Sequence, residues 1–577
     1  MRLLNASLVL GLLVCAQAAA QPTSTQSSTL PAQVAAVLKY VPDDTSLVAV
    51  VPNLDGLAGG VAAFGKAIGV PDVADVNARE LLSDLLGKGA QALNTSGAFV
   101  VALSATHEEP LILALLTSDE SWKSTTQPTT LRDNVLLYEF GADRYVVAAT
   151  GGVAIFAREK SELPRALDAS GRFAERFAKE AGRLVGQRQV VCYVDVSAWN
   201  DQIEAQMAKL VQGMYMGMAA AGPQAEIGIQ LWSWMLERFK KTVLETQTLV
   251  VTLRVDGQGV FLDSRVSFQP DSTLSRFLKQ VVRPKRDLLR GLPAGETPVV
   301  IAFDWENAPG TETFNEALAK ALLGMESLKE KIGADKLAVV IQKSVEMNRK
   351  VPGSSVAFAF SPAGQGLLYW GLYLTPEPGP VQGHMRAICE LTPELMSAWG
   401  TLPTALRAQQ PERFDRVAAD VYQFDLGAES RPRQPMLEIL YGNNPTFYMA
   451  PHPDGVAYAF GPQADAHDKL AQLLDPNAPR LDRDPRVAAL FKTLAPEPQF
   501  CVLVDIPALA QSMAGMIEQF GVPFPPLELG AQKTPLAGLT FYLEPEDMRG
   551  ELFVPAEPIQ ALIKVVEGLE GKPKEAY

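Results

Sequence analysis

An apolar strand pattern that ends near an Asp or Asn residue and runs into a helical pattern occurs four times along the chain. The four copies read SLVAVVPN at 46–53, VVCYVDVSAW at 190–199, VVIAFDWEN at 299–307 and FCVLVDIPAL at 500–509. Each copy is followed by two adjacent apolar runs and an acidic turn. A repeat of this length constrains the architecture more than any single motif, so we predict a fold built from repeated modules.

The repeated unit reads β-α-α-β-β-α, and it predicts an α+β fold with four modules in two tandem pairs and mainly antiparallel sheets. Each pair also contains a strand-rich insert, and we expect the strands of a pair to join a larger sheet through it. The predicted segments are a signal peptide (1–20), a disordered leader (21–31), module 1 (32–128), a strand-rich insert (129–170), module 2 (171–286), module 3 (287–378), an extra helical segment with a second strand-rich insert (379–475) and module 4 (476–577).

The N-terminus has the features of an export signal. Arg2 supplies a positive charge, residues 8–16 form a short apolar stretch, and small residues at 16, 18 and 20 offer cleavage sites. We therefore predict an extracytoplasmic protein, periplasmic or secreted, with no transmembrane anchor after cleavage. Cys15 leaves a lipoprotein as the alternative, but Val14 stands where lipoproteins need a small residue.

Net charge limits the classes of partner that the chain can bind, and the cysteine content bears on whether it contains a disulfide. The chain of 577 residues has a net charge of −14, and an acidic surface repels phosphate, so we predict no nucleic-acid partner. Removal of the leader leaves Cys192, Cys389 and Cys501. Equivalent strands of separate modules do not face each other at bonding distance, so we predict free thiols and no structural disulfide.

The export signal, the opening VPDDT at 41–45 and the repeated strand–Asx–helix units separated by hairpins carry a family resemblance. Together they resemble secreted bacterial (planctomycete-type) proteins grouped as a domain of unknown function with repeated α/β modules. The resemblance covers most of residues 32–570. Because such proteins have no established activity, it implies a modular fold and no catalytic residue.

Asn53, Asp195, Asp304 and Asp505 follow the four strands, and two interpretations fit them. Many α/β enzymes hold catalytic carboxylates at the ends of strands. Asp and Asn also cap helices, because their side chains accept hydrogen bonds from the first free amides. A residue type that recurs in four modules, once as Asn, fits a requirement of the fold better than one active site, so we predict helix caps.

The remaining patterns predict no catalytic residue, no cofactor and no metal. The histidines at 107, 384, 452 and 467 lack the spacing that places two ligands on one helix face. His452-Pro453-Asp454 lies in a turn, where a weak metal site and a solvated hairpin tip are the alternatives, the second being favoured. A nucleophile–base pair of Cys389 with His384 is disfavoured, because apolar neighbours place Cys389 in a core.

The two helices of the second module carry the candidate partner surface. It consists of Met214, Met218, Trp232, Trp234 and Met235. Apolar residues cover more than one face of these helices, and Met-rich surfaces suit contact with protein or lipid. The alternative is that the helices bury these side chains against their own sheet.

These features predict a non-enzymatic extracytoplasmic binding or assembly protein, with an envelope protein as its partner. The alternative is a ligand-binding or hydrolytic protein with its site in the cleft between the two duplicated halves, where duplicated folds often bind. The oligomeric state is left open by the sequence.

Overall fold

The protein combines α-helices with β-strands, and every strand pair that the structure describes is antiparallel. This confirms the predicted α+β class with mainly antiparallel pairing. In this computed structural model the described residues are 30–107, 109–118, 129–132, 135–140, 145–219, 226–280, 287–295, 297–304, 314–360, 366–398, 405–425, 445–519 and 534–570.

The helices follow the apolar spacing of the sequence. They are α1 (Ala32–Leu38), α2 (Leu54–Ile68), α3 (Pro71–Ala74), α4 (Ala78–Leu86), α5 (Leu163–Leu167), α6 (Arg172–Val185), α7 (Asn200–Ala219), α8 (Glu226–Leu244), α9 (Thr273–Leu278), α10 (Phe314–Gly324), α11 (Glu326–Ile332), α12 (Ala334–Lys350), α13 (Pro378–Ala398), α14 (Gln463–Leu474), α15 (Pro485–Thr493), α16 (Ile506–Gln519) and α17 (Ala556–Glu570).

The strands include the four module-opening runs that the sequence predicts. They are β1 (Thr45–Val51), β2 (Phe99–Ser104), β3 (Leu111–Leu115), β4 (Thr129–Arg132), β5 (Val135–Phe140), β6 (Tyr145–Thr150), β7 (Val153–Ala157), β8 (Val190–Asp195), β9 (Thr246–Asp256), β10 (Gly259–Phe268), β11 (Val299–Asp304), β12 (Gly353–Phe360), β13 (Leu367–Leu374), β14 (Ala405–Ala408), β15 (Glu412–Phe414), β16 (Val417–Asp425), β17 (Pro445–His452), β18 (Gly455–Pro462), β19 (Phe500–Val504), β20 (Ala537–Leu543) and β21 (Asp547–Pro555).

The chain forms two compact units. Unit 1 consists of Met1–Gln206, Thr242–Ser275 and Glu546–Gln560. Unit 2 consists of Met207–Lys241, Arg276–Pro545 and Ala561–Tyr577.

Unit 1 holds strands in the order β4-β5-β6-β7-β3-β2-β1-β8-β9-β10-β21. The expectation that the strands of a pair join through the insert is wrong for this unit. Strand β1 pairs directly with β8, with Ala49 opposite Cys192, and the insert strands extend the sheet beyond β3. The reason is burial, since β1 is apolar along nearly its whole length and is covered on both faces.

Unit 2 holds strands in the order β20-β19-β11-β12-β13-β18-β17-β16, with β14 and β15 both beside β16. Its two module-opening strands, β11 and β19, also pair directly, with Ala302 opposite Cys501. In both units each module-opening strand therefore pairs with the first strand of its own hairpin and with the other opening strand.

Helices cover both faces of the unit 1 sheet. On one face α1 and α6 pack on the strands, and Phe173, Phe177 and Tyr193 form a cluster with ring centroids 6.0 to 6.3 Å apart. On the other face α2 and α4 bury Leu54 and Leu82 against the same strands. The sequence analysis did not predict α1, which is only seven residues long.

Candidate functional site

The Asx residues at the strand ends act as helix caps in two of the four modules. Asn53 Oδ1 accepts a hydrogen bond from the Gly56 amide at 2.8 Å at the start of α2. Asp505 Oδ1 accepts one from the Ala508 amide at 3.2 Å at the start of α16. Capping is thus confirmed at these two positions, while the residues after Asp304 lie outside the described part of the chain.

Asp195 is an exception to the capping prediction. The residues after it, Val196–Trp199, form a 3₁₀ turn in which its side chain caps no backbone amide. Its carboxylate instead accepts from Ser197 Oγ at 2.6 Å and from Arg176 Nη1 at 3.3 Å. These contacts fix the strand end against α6, which is a structural role and supplies no reacting group.

His384 and Cys389 have separate surroundings on α13. His384 Nδ1 lies 3.7 Å from Glu346 Oε2. Cys389 packs on an apolar cluster that includes Val381 and Met385, and burial raises its pKa to about 12. A thiol with that pKa stays protonated at neutral pH, so Cys389 is not an activated nucleophile.

A polar pocket of about 700 Å³ lies in unit 2 and includes His452, Asp454, Arg290 and Arg480. The solvated tip predicted for His452 is wrong, because its side chain is only 6% exposed. The turn itself exists between β17 and β18, but the His452 ring lies beneath it. Burial is the largest cause that lowers the pKa of this imidazole, and the positive charges of Arg480 and Arg290 add to the effect.

The polar groups around this pocket mainly hold its own walls together. Arg480 donates to the carbonyls of Gly291 at 2.7 Å, Leu473 at 3.3 Å and Asp475 at 2.7 Å. Arg290 lies 3.2 Å from Asp454. These contacts occupy most of the Arg480 guanidinium, whereas the Arg290 side chain is 67% exposed. With its most enclosed cation committed to the walls, the pocket is a weak candidate site.

Among the described residues, no group of three or more His, Cys, Asp or Glu side chains is placed to hold a metal ion. In the same part of the chain, no helix is both long enough and apolar enough to cross a membrane. Cys192, Cys389 and Cys501 are free thiols.

The helices α7 and α8 expose an unusual amount of apolar surface. Leu210 is 46% exposed, Met216 66%, Trp232 49% and Met235 38%. We call these four residues the α7–α8 surface. The other large apolar side chains that are exposed in the described chain are scattered on other helices, namely Leu81, Val339 and Met513. An exposed apolar patch on neighbouring helices is typical of an interaction site, whereas isolated residues are not.

The apolar faces of both helices are buried at one end and exposed at the other. On α8, Val243 is 5% exposed, while Trp232 lies on the same helical face and is 49% exposed. On α7, Ile203 is 4% exposed, while Leu210 lies on the same helical face and is 46% exposed. Internal burial therefore accounts for one end of each face and leaves the other end uncovered.

A groove of about 430 Å³ lies between the two helices within unit 2. Met207, Val211 and Met216 line it from α7, and Leu236 and Lys240 line it from α8. Glu237 also lines it, so the wall is mostly apolar with one ammonium group and one carboxylate. Such a groove suits an apolar partner group.

The five predicted partner residues do not all belong to the exposed surface. Trp232 and Met235 belong to the α7–α8 surface, and Trp234 is half-buried with the Arg238 guanidinium 5.5 Å from its ring centroid. Met214 and Met218 are on α7, but their side chains lie outside the described part. Sequence reasoning missed Leu210, although its spacing from Met207 was a signal.

Comparison with known proteins does not identify a family. No family model and no curated protein matches the chain. Crystal form I of TP0453 matches with a TM-score of 0.21 and 11% identity over 42% of this chain and 80% of that one. Crystal form III of TP0453 matches with a TM-score of 0.22 and 10% identity over 40% and 79%. Similarities this weak carry no argument about this chain.

Proposed function

We propose that this is a non-enzymatic binding protein of the extracytoplasmic space that docks on another envelope component through the α7–α8 surface. The single observation that carries the proposal is the loss of burial along two neighbouring helices, from Val243 to Trp232 on α8 and from Ile203 to Leu210 on α7. Leaving large apolar side chains in water costs about 25 cal/mol for each Å² that a partner would cover. A partner that covers them recovers this free energy.

The chemistry of the other candidates supports a binding role over a catalytic one. Asn53 and Asp505 are committed to helix caps, and Asp195 is held by Arg176. Burial keeps Cys389 protonated. These four groups thus have surroundings that fit a structural use in the fold.

The proposed architecture is a tandem duplication, with two β-α-α-β-β-α modules in each copy. The strand orders of the two units correspond to each other, which supports this architecture. A side-chain hydrogen bond that occurs at the same place in both units supports it as well. Gln189, just before β8, accepts a hydrogen bond at Oε1 from the Val255 amide at 2.6 Å. Gln499, just before β19, accepts one from the Leu543 amide at 3.1 Å. Such a plan also favours kinship with the modular secreted proteins that the sequence resembles.

Photo-crosslinking in the cells that make the protein tests the docking role. A photoreactive amino acid replaces Trp232 in one variant and Val339, which is 45% exposed on α12, in a matched control. We expect one dominant envelope adduct from position 232 and none from position 339. Equal labelling at both positions, or none at position 232, would contradict the proposal.

A further inference from the structure

The segment that forms the α7–α8 surface is almost free of charge. Residues 210–236 contain one charged residue, Glu226, in a chain where 20% of the residues are charged. Basic residues flank the segment at both ends, with Lys209 before it and Arg238, Lys240 and Lys241 after it. In residues 207–241 the four basic residues outnumber the two acidic ones, Glu226 and Glu237, whereas the whole chain has a net charge of −14.

This arrangement combines three properties that suit the interface of a lipid bilayer. The exposed side chains include a half-exposed tryptophan, Trp232, and aromatic rings of this kind settle at the level of lipid head groups. The exposed Leu210 and Met216 can enter the acyl boundary. Lys209 is exposed next to Leu210 in the chain, where a long basic side chain reaches anionic head groups.

From this geometry we infer that the α7–α8 surface binds an anionic lipid bilayer. The inference rests on the proposed function and narrows the docking partner to a lipid surface. The apolar side chains would occupy the head-group boundary, and Lys209 and Arg238 would contact lipid phosphates. The binding would be peripheral and would weaken as salt rises, because salt screens the basic residues.

Two other occupants fit the surface less well. A protein interface carries about one hydrogen bond for every 100–200 Å², but the exposed side chains of the α7–α8 surface have almost no polar atoms to form them. A second copy of the chain would bring like charges together, since a two-fold interface places the same patch on both sides. The excess of basic residues in 207–241 would then repel its own copy.

Co-sedimentation of the purified protein with vesicles tests the inference. One vesicle contains phosphatidylcholine alone, and the other also contains phosphatidylglycerol. We expect binding to the anionic vesicle that falls at high salt and little binding to the neutral one. Trp232→Ser should weaken binding about tenfold through lost apolar burial. Lys209→Glu changes the charge by two and should weaken binding about 30-fold, since each charge near the surface contributes roughly 1 kcal/mol.

Two matched variants control for general effects of the substitutions. Val339→Ser removes an equally exposed apolar side chain from α12, and Lys179→Glu reverses a lysine that is 83% exposed on α6. Both should bind vesicles like the wild type. Thermal unfolding checks that all four variants fold. Because Lys209 is exposed, Lys209→Glu should fold and tests the inference even if Trp232→Ser does not fold.

The outcomes separate this inference from the proposed function. Equal binding to both vesicles, or equal loss in Val339→Ser, would overturn the lipid assignment. If vesicles do not bind but position 232 crosslinks a protein in cells, the lipid assignment fails and the docking role stands. If the protein instead self-associates through α7 and α8, the partner is a second copy. If vesicle binding does not depend on Trp232 and position 232 gives no specific crosslink, both proposals fail.

Discussion

The Arg486 guanidinium lies 2.5 Å from a carboxylate oxygen of Asp505, which also caps α16. Arg486 reaches Asp484 as well, at 3.1 Å, and Asp484 caps α15. In unit 1 Arg176 has the corresponding contact with Asp195, and in both units the arginine and the aspartate are 19 residues apart. One arginine thus links a helix to the end of a module-opening strand in each half of the chain.

Replacing this arginine should destabilise unit 2 more than unit 1. In Arg486→Met two largely buried carboxylates lose their guanidinium, and removal of one partner of a buried pair costs about 3–5 kcal/mol. Arg176 is 38% exposed, so solvent screens its pair and Arg176→Met should cost about 1 kcal/mol. Urea unfolding of both variants measures the difference. Equal shifts would contradict the assignment of the Arg486 pair as buried.

Adjacent glycines in α2 should respond differently to a methyl group. A Cβ on Gly60 would overlap the backbone carbonyl oxygen of Val255, whereas a Cβ on Gly59 would have no atom within 4 Å. We expect Gly60→Ala to lower the free energy of unfolding by about 1–3 kcal/mol through overpacking. Gly59→Ala should raise it by about 0.5–1 kcal/mol, because alanine favours a helix. Thermal unfolding of the two variants checks this, and a stable Gly60→Ala would refute the close packing of α2 on β9.

The pH dependence of stability should include a contribution from His452. Burial lowers the pKa of its imidazole below the ordinary 6.5, and Arg480 and Arg290 lower it further against the opposing effect of Asp454. The unfolded chain therefore binds this proton more readily than the folded one. The stabilisation is complete above pH 6.5 and is lost as the pH falls toward the folded pKa.

Urea titrations above and below pH 6.5 measure this effect. His452→Gln should remove part of the pH dependence in this range. If His452→Gln leaves the pH profile unchanged, the ring is not buried in its neutral form.

The thiols should be slow to alkylate. Burial raises the pKa of Cys389 to about 12 and that of Cys192 to about 11, so the reactive thiolate is scarce near neutral pH. We expect iodoacetamide to modify both at least about tenfold more slowly than it modifies them in the urea-unfolded protein. Peptide mass spectrometry measures the rates, and modification of Cys389 at the unfolded rate would revive its candidacy as a nucleophile.

The sequence predicted the elements of the fold better than their connections. Periodicity placed the four module-opening strands, because their apolar patterns are regular. It did not show that β1 pairs directly with β8, since register and neighbours depend on contacts between distant residues. It also missed α1, whose seven residues are too few for a clear helical period.

The candidate surface could be predicted only in part. Composition pointed to α7 and α8, but it could not separate Trp232, which is exposed, from Trp234, which is half-buried two residues later. That difference depends on the helical face. Val243 is buried and Trp232 is exposed because the surrounding core ends between them. No local sequence pattern shows where a core ends.

Hydrogen exchange of the purified protein, with and without isolated envelope membranes, tests the docking role of the α7–α8 surface most directly. We predict that membranes slow amide exchange in residues 207–241 and leave α12 unchanged. The Trp232→Ser variant should lose most of this protection. Exchange in residues 207–241 that is the same with and without membranes would contradict the account.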